Sequence, residues 1–316
     1  MMVSIKRGIK HLLTNRSLFC DSIVRNFLSF LPDKLYISLR YRCLMGHWID
    51  WTNPKLFSEK LQWLKVFNRR PHHPQMVDKS SVKQYVSHII GLEYIVPTLG
   101  VWDKVEEIEW DTMPEQFVLK TTHGGGGGGV VICTDKSRLD RQRAVAKLNK
   151  SLEQDIYALF REWPYKNVPR RIIAEQFLVP VKLTEGSEHY ELFDYKFFCF
   201  NGKVKFFKVD YGRFVDHHAN YYSPTGELLD FGEAELLPDP NQRIVLPNNL
   251  NDMIALAEKL SYQEPFLRVD FYNVDGKIYF GELTFYPASG MGKWTSDQVD
   301  EMIGSYLDIS SLKKDF

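Results

Sequence analysis

The stretch Phe117-Val118-Leu119-Lys120-Thr121-Thr122-His123-Gly124-Gly125-Gly126-Gly127-Gly128-Gly129-Val130-Val131-Ile132-Cys133 decides how this chain is read. Six consecutive glycines favour no regular element, because glycine loses more backbone entropy on ordering than any other residue. Flanked by Phe117–Lys120 and Val130–Cys133, which both read as strands, the run predicts a hairpin tip. Its bare N–H groups can come close to an anion. Lys120, at the strand end, sets a cation beside that anion. This is not a Walker loop, since no Gly-Lys-Ser/Thr closes it and no helix follows directly. An ordinary flexible turn would not need six glycines, so phosphate binding is the preferred reading. His123, between the lysine and the loop, is either a phosphate or substrate contact or a structural hydrogen-bonder.

Further along, Arg268-Val269-Asp270-Phe271-Tyr272-Asn273-Val274-Asp275-Gly276 and the strand through Phe285 predict a second hairpin turning at Asp275-Gly276. Asp-Gly suits a type I′ turn because both residues tolerate positive φ. A strict two-residue turn pairs Asp270 with Gly281 and sends Glu282 to the other face. One extra loop residue or a bulge pairs Asp270 with Glu282. Two carboxylates inside apolar strands repel and are costly to bury unpaired. Mg²⁺ would remove that objection by joining both to a polyphosphate. Solvent exposure, or pairing with Arg268 and Lys277, is the plainer alternative. Asn201-Gly202 marks another hairpin, from Asp194 to Asp210. The strand Arg171–Leu178 carries Glu175-Gln176-Phe177-Leu178, whose backbone could meet an adenine edge with apolar groups around the ring.

Composition bounds the class. The chain has 316 residues, 44% hydrophobic, with lysine plus arginine and aspartate plus glutamate balanced at 40 each. That balance disfavours nucleic acid as a partner. Cys20, Cys43, Cys133 and Cys199 show no zinc-ligand spacing and are expected as buried free thiols in a reducing, cytoplasmic setting. No apolar run approaches a membrane span. From Met1 to Trp48, however, eight basic residues face two acids, Asp21 and Asp33, with apolar residues interleaved at near-helical spacing. Such a segment forms either ordinary helices with a solvated basic face or a peripheral contact with an anionic membrane surface or a partner.

Residues 1–75 read as helical, broken at Pro32, Pro54 and the turn Pro71–Pro74, which is taken as a boundary. A helix opens at Asp78-Lys79-Ser80-Ser81 and runs to Ile90, with Asp78 or Ser80 as cap. Short β runs are expected at Tyr94–Pro97 and Leu99–Trp102, a single helix over 137–162, a polar stretch over 213–247 and a helix near 249–261. The class is α+β with antiparallel sheets.

Taken together and in order, these segments resemble the ATP-grasp superfamily. The full-length pattern, including Lys55-Leu56-Phe57-Ser58-Glu59-Lys60-Leu61-Gln62-Trp63-Leu64-Lys65, resembles its TupA-like family. The resemblance implies an ATP-grasp fold, two α+β subdomains gripping ATP between antiparallel sheets, with a helical N-terminal extension. It divides the chain into 1–75, a lid-side subdomain 76–174 and a metal and substrate subdomain 175–316. Lys79, Lys120 and Gly124–Gly129 would hold phosphates, and Glu175, Gln176, Phe177 and Leu178 the adenine. Asp270 and Glu282 would hold Mg²⁺, with Thr284 standing where many relatives carry an asparagine ligand. Lys196, Arg268 and His123 are candidates to act on phosphate or substrate, and Ser289, Gly290 and Lys293 to contact substrate.

The implied reaction joins a carboxylate and an amine through an acyl phosphate. The implied partners are ATP, an amino acid and a uronic acid or acidic polymer of a surface-polysaccharide pathway. A kinase would use the same nucleotide site on a hydroxyl. A glycosyltransferase is disfavoured because the chain has no Asp-x-Asp triplet. A non-catalytic nucleotide-binding module would not need the paired carboxylates.

Overall fold

In the computed structural model, residues 16–125, 128–179, 181–182, 190–212, 217–242 and 244–312 are described. Among the described residues, five α-helices precede the first strand: α1 (Arg16–Phe27), α2 (Asp33–Met45), α3 (Phe57–Phe67), α4 (His73–Val77) and α5 (Ser81–Ile90). α5 starts at Ser81, and Asp78 Oδ1 accepts the Ser80 N–H at 3.0 Å, so the expected aspartate closes the turn.

β1 (Thr98–Trp102), β2 (Phe117–Thr121), β3 (Val130–Cys133) and β4 (Ile172–Gln176) form an antiparallel sheet in the order β1-β4-β2-β3. The β2–β3 hairpin closes with Lys120 opposite Val130, leaving the glycines as its tip. Period-two alternation sends Phe117 and Leu119 inward, where they meet Leu148 and Ala144 of α6 (Arg141–Leu152) in their own small core. The single helix expected over 137–162 is corrected. α6 stops at Leu152 and α7 (Ile156–Phe160) begins afresh, because Asp155 caps it by accepting the Ala158 N–H at 2.7 Å.

After the two-residue pair β5 (Val181–Lys182) and β6 (Tyr190–Glu191) comes the larger sheet. It comprises β7 (Asp194–Phe200), β8 (Lys203–Tyr211), β9 (His218–Tyr222), β10 (Phe266–Val274) and β11 (Lys277–Thr284), in the order β11-β10-β7-β8-β9. β9 lies in the stretch read as merely polar. Tyr94–Pro97 is no strand either, since Leu92–Tyr94 forms a 3₁₀ turn. α8 (Leu250–Ser261) covers the sheet's far face, and α9 (Asp297–Tyr306) packs on α3. The main core is aromatic, built from Phe197, Phe200, Phe207, Phe266 and Phe271, and α3 enters it through Phe57, Leu61 and Leu64. Phe57 meets Phe266 at 4.9 Å and Phe200 at 5.6 Å. Pro71–Pro74, read as a boundary, is anchored, because His72 and His73 both hydrogen-bond the buried Glu264.

Two of the four cysteines depart from expectation. Cys20 and Cys43 are joined in a disulfide that links α1 to α2, while Cys133 and Cys199 are buried free thiols. Cys20 is exposed, so burial could not have protected it.

The β10–β11 hairpin resolves the register left open by sequence. Asp275 and Gly276 both take positive φ, 50° and 83°, and Val274 pairs with Lys277. A two-residue turn holds the register to Phe271 opposite Phe280; then it shifts and Asp270 faces Glu282, leaving Gly281 as the extra residue. A Cβ at Gly281 would lie 3.0 Å from the Asp270 carbonyl oxygen. Backbone cannot yield as a side chain does, so Gly281→Ala should cost about 1–3 kcal/mol by overpacking. A thermal melt reads this, and an unchanged midpoint would contradict the bulge.

Candidate active site

Alternation along the larger sheet puts one row of charges on the face away from α8. β7 contributes Asp194 and Lys196, β8 Lys208 and Asp210, β10 Arg268 and Asp270, and β11 Glu282 and Thr284. Register aligns them: Lys196 sits opposite both Lys208 and Asp270, Asp194 opposite Asp210, and Arg268 opposite Thr284. Arg268 is the hub. Its Nε donates to Asp270 Oδ1 at 2.7 Å, and its Nη2 donates to Asp270 Oδ2 at 2.6 Å, Glu282 Oε1 at 3.0 Å and Thr284 Oγ1 at 3.0 Å. Thr284 in turn donates to Glu282 Oε1 at 3.2 Å. Lys196 donates to Asp194 Oδ2 at 2.5 Å and to Asp210. Lys208 reaches Glu233 at 2.9 Å.

These charges set one another's protonation. Burial pushes the Asp270 carboxyl up, to about 7, against the pull of Arg268. Burial would lower the Arg268 and Lys196 pKa values, but their carboxylates raise both. Glu282 is held below the usual carboxylate range: burial raises it, and Lys79 and Arg268 outweigh that. Asp270 is 1% exposed, whereas the Glu282 side chain is 41% exposed, so the pair opens to solvent at its Glu282 end. Asp270, Glu282 and Thr284 all lie within hydrogen-bond reach of one guanidinium nitrogen. Three hard oxygens converging on one point, with no histidine or thiolate among them, suit Mg²⁺.

Across from this face stand the lysines. Lys79, just before α5, donates through Nζ to the Gly124 carbonyl and through its backbone N–H to Thr122 O at 3.0 Å. Burial lowers the Lys79 pKa, opposed chiefly by Glu282. Lys120 Nζ lies 2.5 Å from Glu175 Oε2, and Lys83, one turn beyond Lys79 on α5, lies 2.7 Å from Glu175 Oε1. Burial raises Glu175, but the two lysines bring it below its ordinary value. Its carboxylate is therefore committed to lysines. Gln176 is exposed at the end of β4, its N–H on Pro97 O, with Phe177 and Leu178 partly buried just beyond.

The glycine run divides by packing. A Cβ at Gly129 would lie 2.2 Å from Ser151 Oγ, and one at Gly124 would lie 2.5 Å from Thr121 Oγ1. At Gly125 and Gly128 a Cβ would meet nothing within 4 Å. Gly126 and Gly127 lie outside the described residues.

His123 is buried, with Nε2 3.2 Å from the Gln154 carbonyl, where it joins the tip to the end of α6. Beyond β11, Ala288 and Ser289 adopt φ of 47° and 55°. Gln62 Nε2 donates to Ser289 O at 3.1 Å and Gly290 O at 2.8 Å, and Lys65 Nζ to both Ser289 oxygens at 2.7 Å. Burial pushes Lys65 down, to about 7, against Glu162. Lys293 is exposed. Sequence reading missed Lys83, Asp194, Lys208 and Asp210. For the last three the signal was present as Asp194-x-Lys196 and Lys208-x-Asp210, charges two apart in apolar strands.

A family model described as TupA-like ATPgrasp matches residues 59–308. No curated protein matches. Among solved structures, the chain is similar to a D-alanine–D-alanine ligase from Helicobacter pylori (14% identity, 79% of this chain, 68% of that chain, TM-score 0.40). It is also similar to one from Bacillus anthracis (18% identity, 76% of this chain, 70% of that chain, TM-score 0.40). A third likeness is to a RimK domain ATP-grasp protein from Sphaerobacter thermophilus (12% identity, 74% of this chain, 67% of that chain, TM-score 0.39).

Burial depresses the His123 pKa from its ordinary 6.5. The fold therefore favours the neutral ring. The unfolded chain takes up the proton first, so stability is complete above 6.5 and falls as pH drops toward the folded-state pKa. His123→Gln should flatten that part of the stability-against-pH curve relative to the unsubstituted protein, measured by denaturant titration. Parallel curves would contradict a buried neutral histidine.

Proposed function

Because the chain belongs to the TupA-like ATP-grasp family of enzymes, we propose that it is an ATP-dependent carboxylate–amine ligase. The observation that carries this reading is Lys79, which bonds the glycine loop at Gly124 and interacts electrostatically with Glu282 of the carboxylate hairpin. One cation between a phosphate-type loop and a paired-carboxylate face is what a polyphosphate site requires.

In this reading Lys79 and Lys120 hold nucleotide phosphates, with Lys120 exchanging Glu175 for phosphate oxygens as ATP enters. The backbone of 175–178 meets the adenine. Asp270 and Glu282, with Thr284 beside them, would hold Mg²⁺, which supplies charge neutralisation at the transferring phosphoryl group. Arg268 and Lys196 face the developing charge from the same row. The substrate carboxylate attacks the γ-phosphorus, ADP leaves, and the amine displaces phosphate from the acyl phosphate. The glycine tip excludes water that would hydrolyse this intermediate. Ser289, Gly290 and Lys293 border the acceptor, and the division 1–75, 76–174 and 175–316 separates helical region, lid side and metal side. His123 acts through the loop's anchorage. We assign as substrates an amino acid and a uronic acid or acidic polymer of a surface polysaccharide, used on the cytoplasmic side with the N-terminal segment touching the membrane.

The test is release of ADP and phosphate from MgATP with amino-acid and uronic-acid panels. Acceptor-dependent release of both is expected. Lys120→Ala and Glu282→Gln should each lower the rate at least about 100-fold, the usual cost of removing one electrostatic stabiliser. Phosphate retained on the acceptor would make the enzyme a kinase, and absence of ATP binding would overturn the nucleotide site itself.

A further inference from the structure

α1 is packed the wrong way round for a helix of a water-soluble surface. Its buried residues are Asp21 and Val24, while Phe19, Ile23 and Phe27, spaced four apart on the opposite side, are exposed. Phe27 is 71% exposed, and Phe30, in the turn to α2, is 78% exposed. Leu35 on α2 continues the apolar surface. Scattered exposed apolar residues need no explanation, but Phe19, Ile23 and Phe27 along one helix face with Phe30 just beyond do.

Charge identifies what covers it. Both acids among residues 1–48 face inward. Asp21 is 3% exposed and pairs with Arg40 at 2.6 Å and Arg25 at 2.9 Å. Asp33 pairs with Arg69 at 2.6 Å and Arg161 at 3.3 Å, and accepts the Tyr157 hydroxyl at 2.7 Å. Arg16 and Arg42 are exposed, while Lys34 turns its ammonium over the Trp51 ring at 5.3 Å. The first fifteen residues, outside the described part, add Lys6, Arg7 and Lys10 and no acid. Phenylalanines flanked by cations, with the acids turned away, complement an anionic lipid surface. A protein partner or a second copy would have to bring its own acidic ring; this chain's neighbouring acids are spent internally. Among the described residues no helix is long and apolar enough to cross a membrane, so the contact lies in the interface.

The platform is stiff. Arg40 donates to Leu159 O at 2.8 Å, Arg161 donates to Ser29 O, and the Cys20–Cys43 disulfide joins α1 to α2. We infer that the outer face of the α1–α2 hairpin docks the enzyme peripherally on anionic lipid, with Phe19, Ile23, Phe27 and Phe30 entering the interface and Arg16 and Arg42 meeting headgroups. This deepens the membrane contact assigned above and does not depend on the ligase chemistry.

The experiment is flotation of the full chain with phosphatidylcholine vesicles, either neutral or carrying about one-third phosphatidylglycerol. Binding to the anionic vesicles alone is expected. Phe27→Ser/Phe30→Ser should weaken it roughly tenfold or more through lost burial, and Arg16→Glu/Arg42→Glu should do so through lost attraction at low salt. Nucleotide binding in solution should stay unchanged in both variants, which separates this outcome from failure of the ATP site. Absent binding to anionic vesicles, or equal binding by the phenylalanine variant, would overturn the proposal. So would a concentration-dependent dimer abolished by Phe27→Ser/Phe30→Ser, which would hand the face to a second copy.

Discussion

The Arg268 guanidinium bound to Asp270 and Glu282 is the contact on which the larger sheet depends. An apolar sheet built from stacked phenylalanines cannot carry bare carboxylates at low cost, since each ion forfeits several kcal/mol of solvation (on the order of magnitude of buried single charges). Arg268 answers with a bidentate bond to Asp270 and a shared Nη2 toward Glu282 and Thr284. Lys196 does the same for Asp194 on its own strand and Asp210 on the next. The row keeps four acids against three cations, so it stays deficient in positive charge. The raised Asp270 pKa reflects that deficit as well as burial, with Asp194 and Glu282 pushing in the same direction. A face balanced this way favours arrival of a cation or a cation–phosphate complex.

The N-terminal helices serve this site as well as their own packing. α3 places Gln62 and Lys65 beneath 289–290, so the loop that follows the carboxylate strand is held by a helix more than two hundred residues earlier in the chain. Its neighbours clamp elsewhere: Ser58 binds Asp300, and Lys60 binds the carbonyls of Gly304 and Leu307 at the end of α9. The polar side chains of Ser58, Glu59, Lys60, Gln62 and Lys65 thus act inward, while Lys55 stays exposed. A charge pattern that looks like a solvated helix face is instead a set of clamps.

Much of this was legible. The two Asn-Gly and Asp-Gly hairpins, the strands around the glycines, and helix α5 with its aspartate turn follow from local rules that tertiary packing did not override. The family match spans residues 59–308, the range that contains those segments. The Asp270–Glu282 register was not legible, because a bulge is a choice between two local geometries that only the neighbouring strand decides. β9 was missed since His218–Tyr222 shows no alternation; it is buried on nearly every residue and so lacks the period that marks a half-exposed strand. The role of Glu175 depended on Lys83 and Lys120 meeting across two elements, which no spacing rule reports. The disulfide escaped for a related reason: pairing Cys20 with Cys43 requires the antiparallel packing of α1 on α2.

The glycine run, the most obvious feature of the sequence, turns out to have more than one cause. Gly124 and Gly129 are confined, since Thr121 and Ser151, hydrogen-bonded at 2.7 Å, fill the space a side chain would need. Gly125 and Gly128 face open space, so sterics within the chain leave those positions free to carry a side chain. In the proposed nucleotide reading, their value would lie in the backbone N–H groups they leave bare for a ligand to reach. Lys79 binds the carbonyl at Gly124, the confined end, and thereby fixes where the loop begins without restricting the open glycines. Packing therefore requires glycine at Gly124 and Gly129, whereas Gly125 and Gly128 have no such steric demand within the chain.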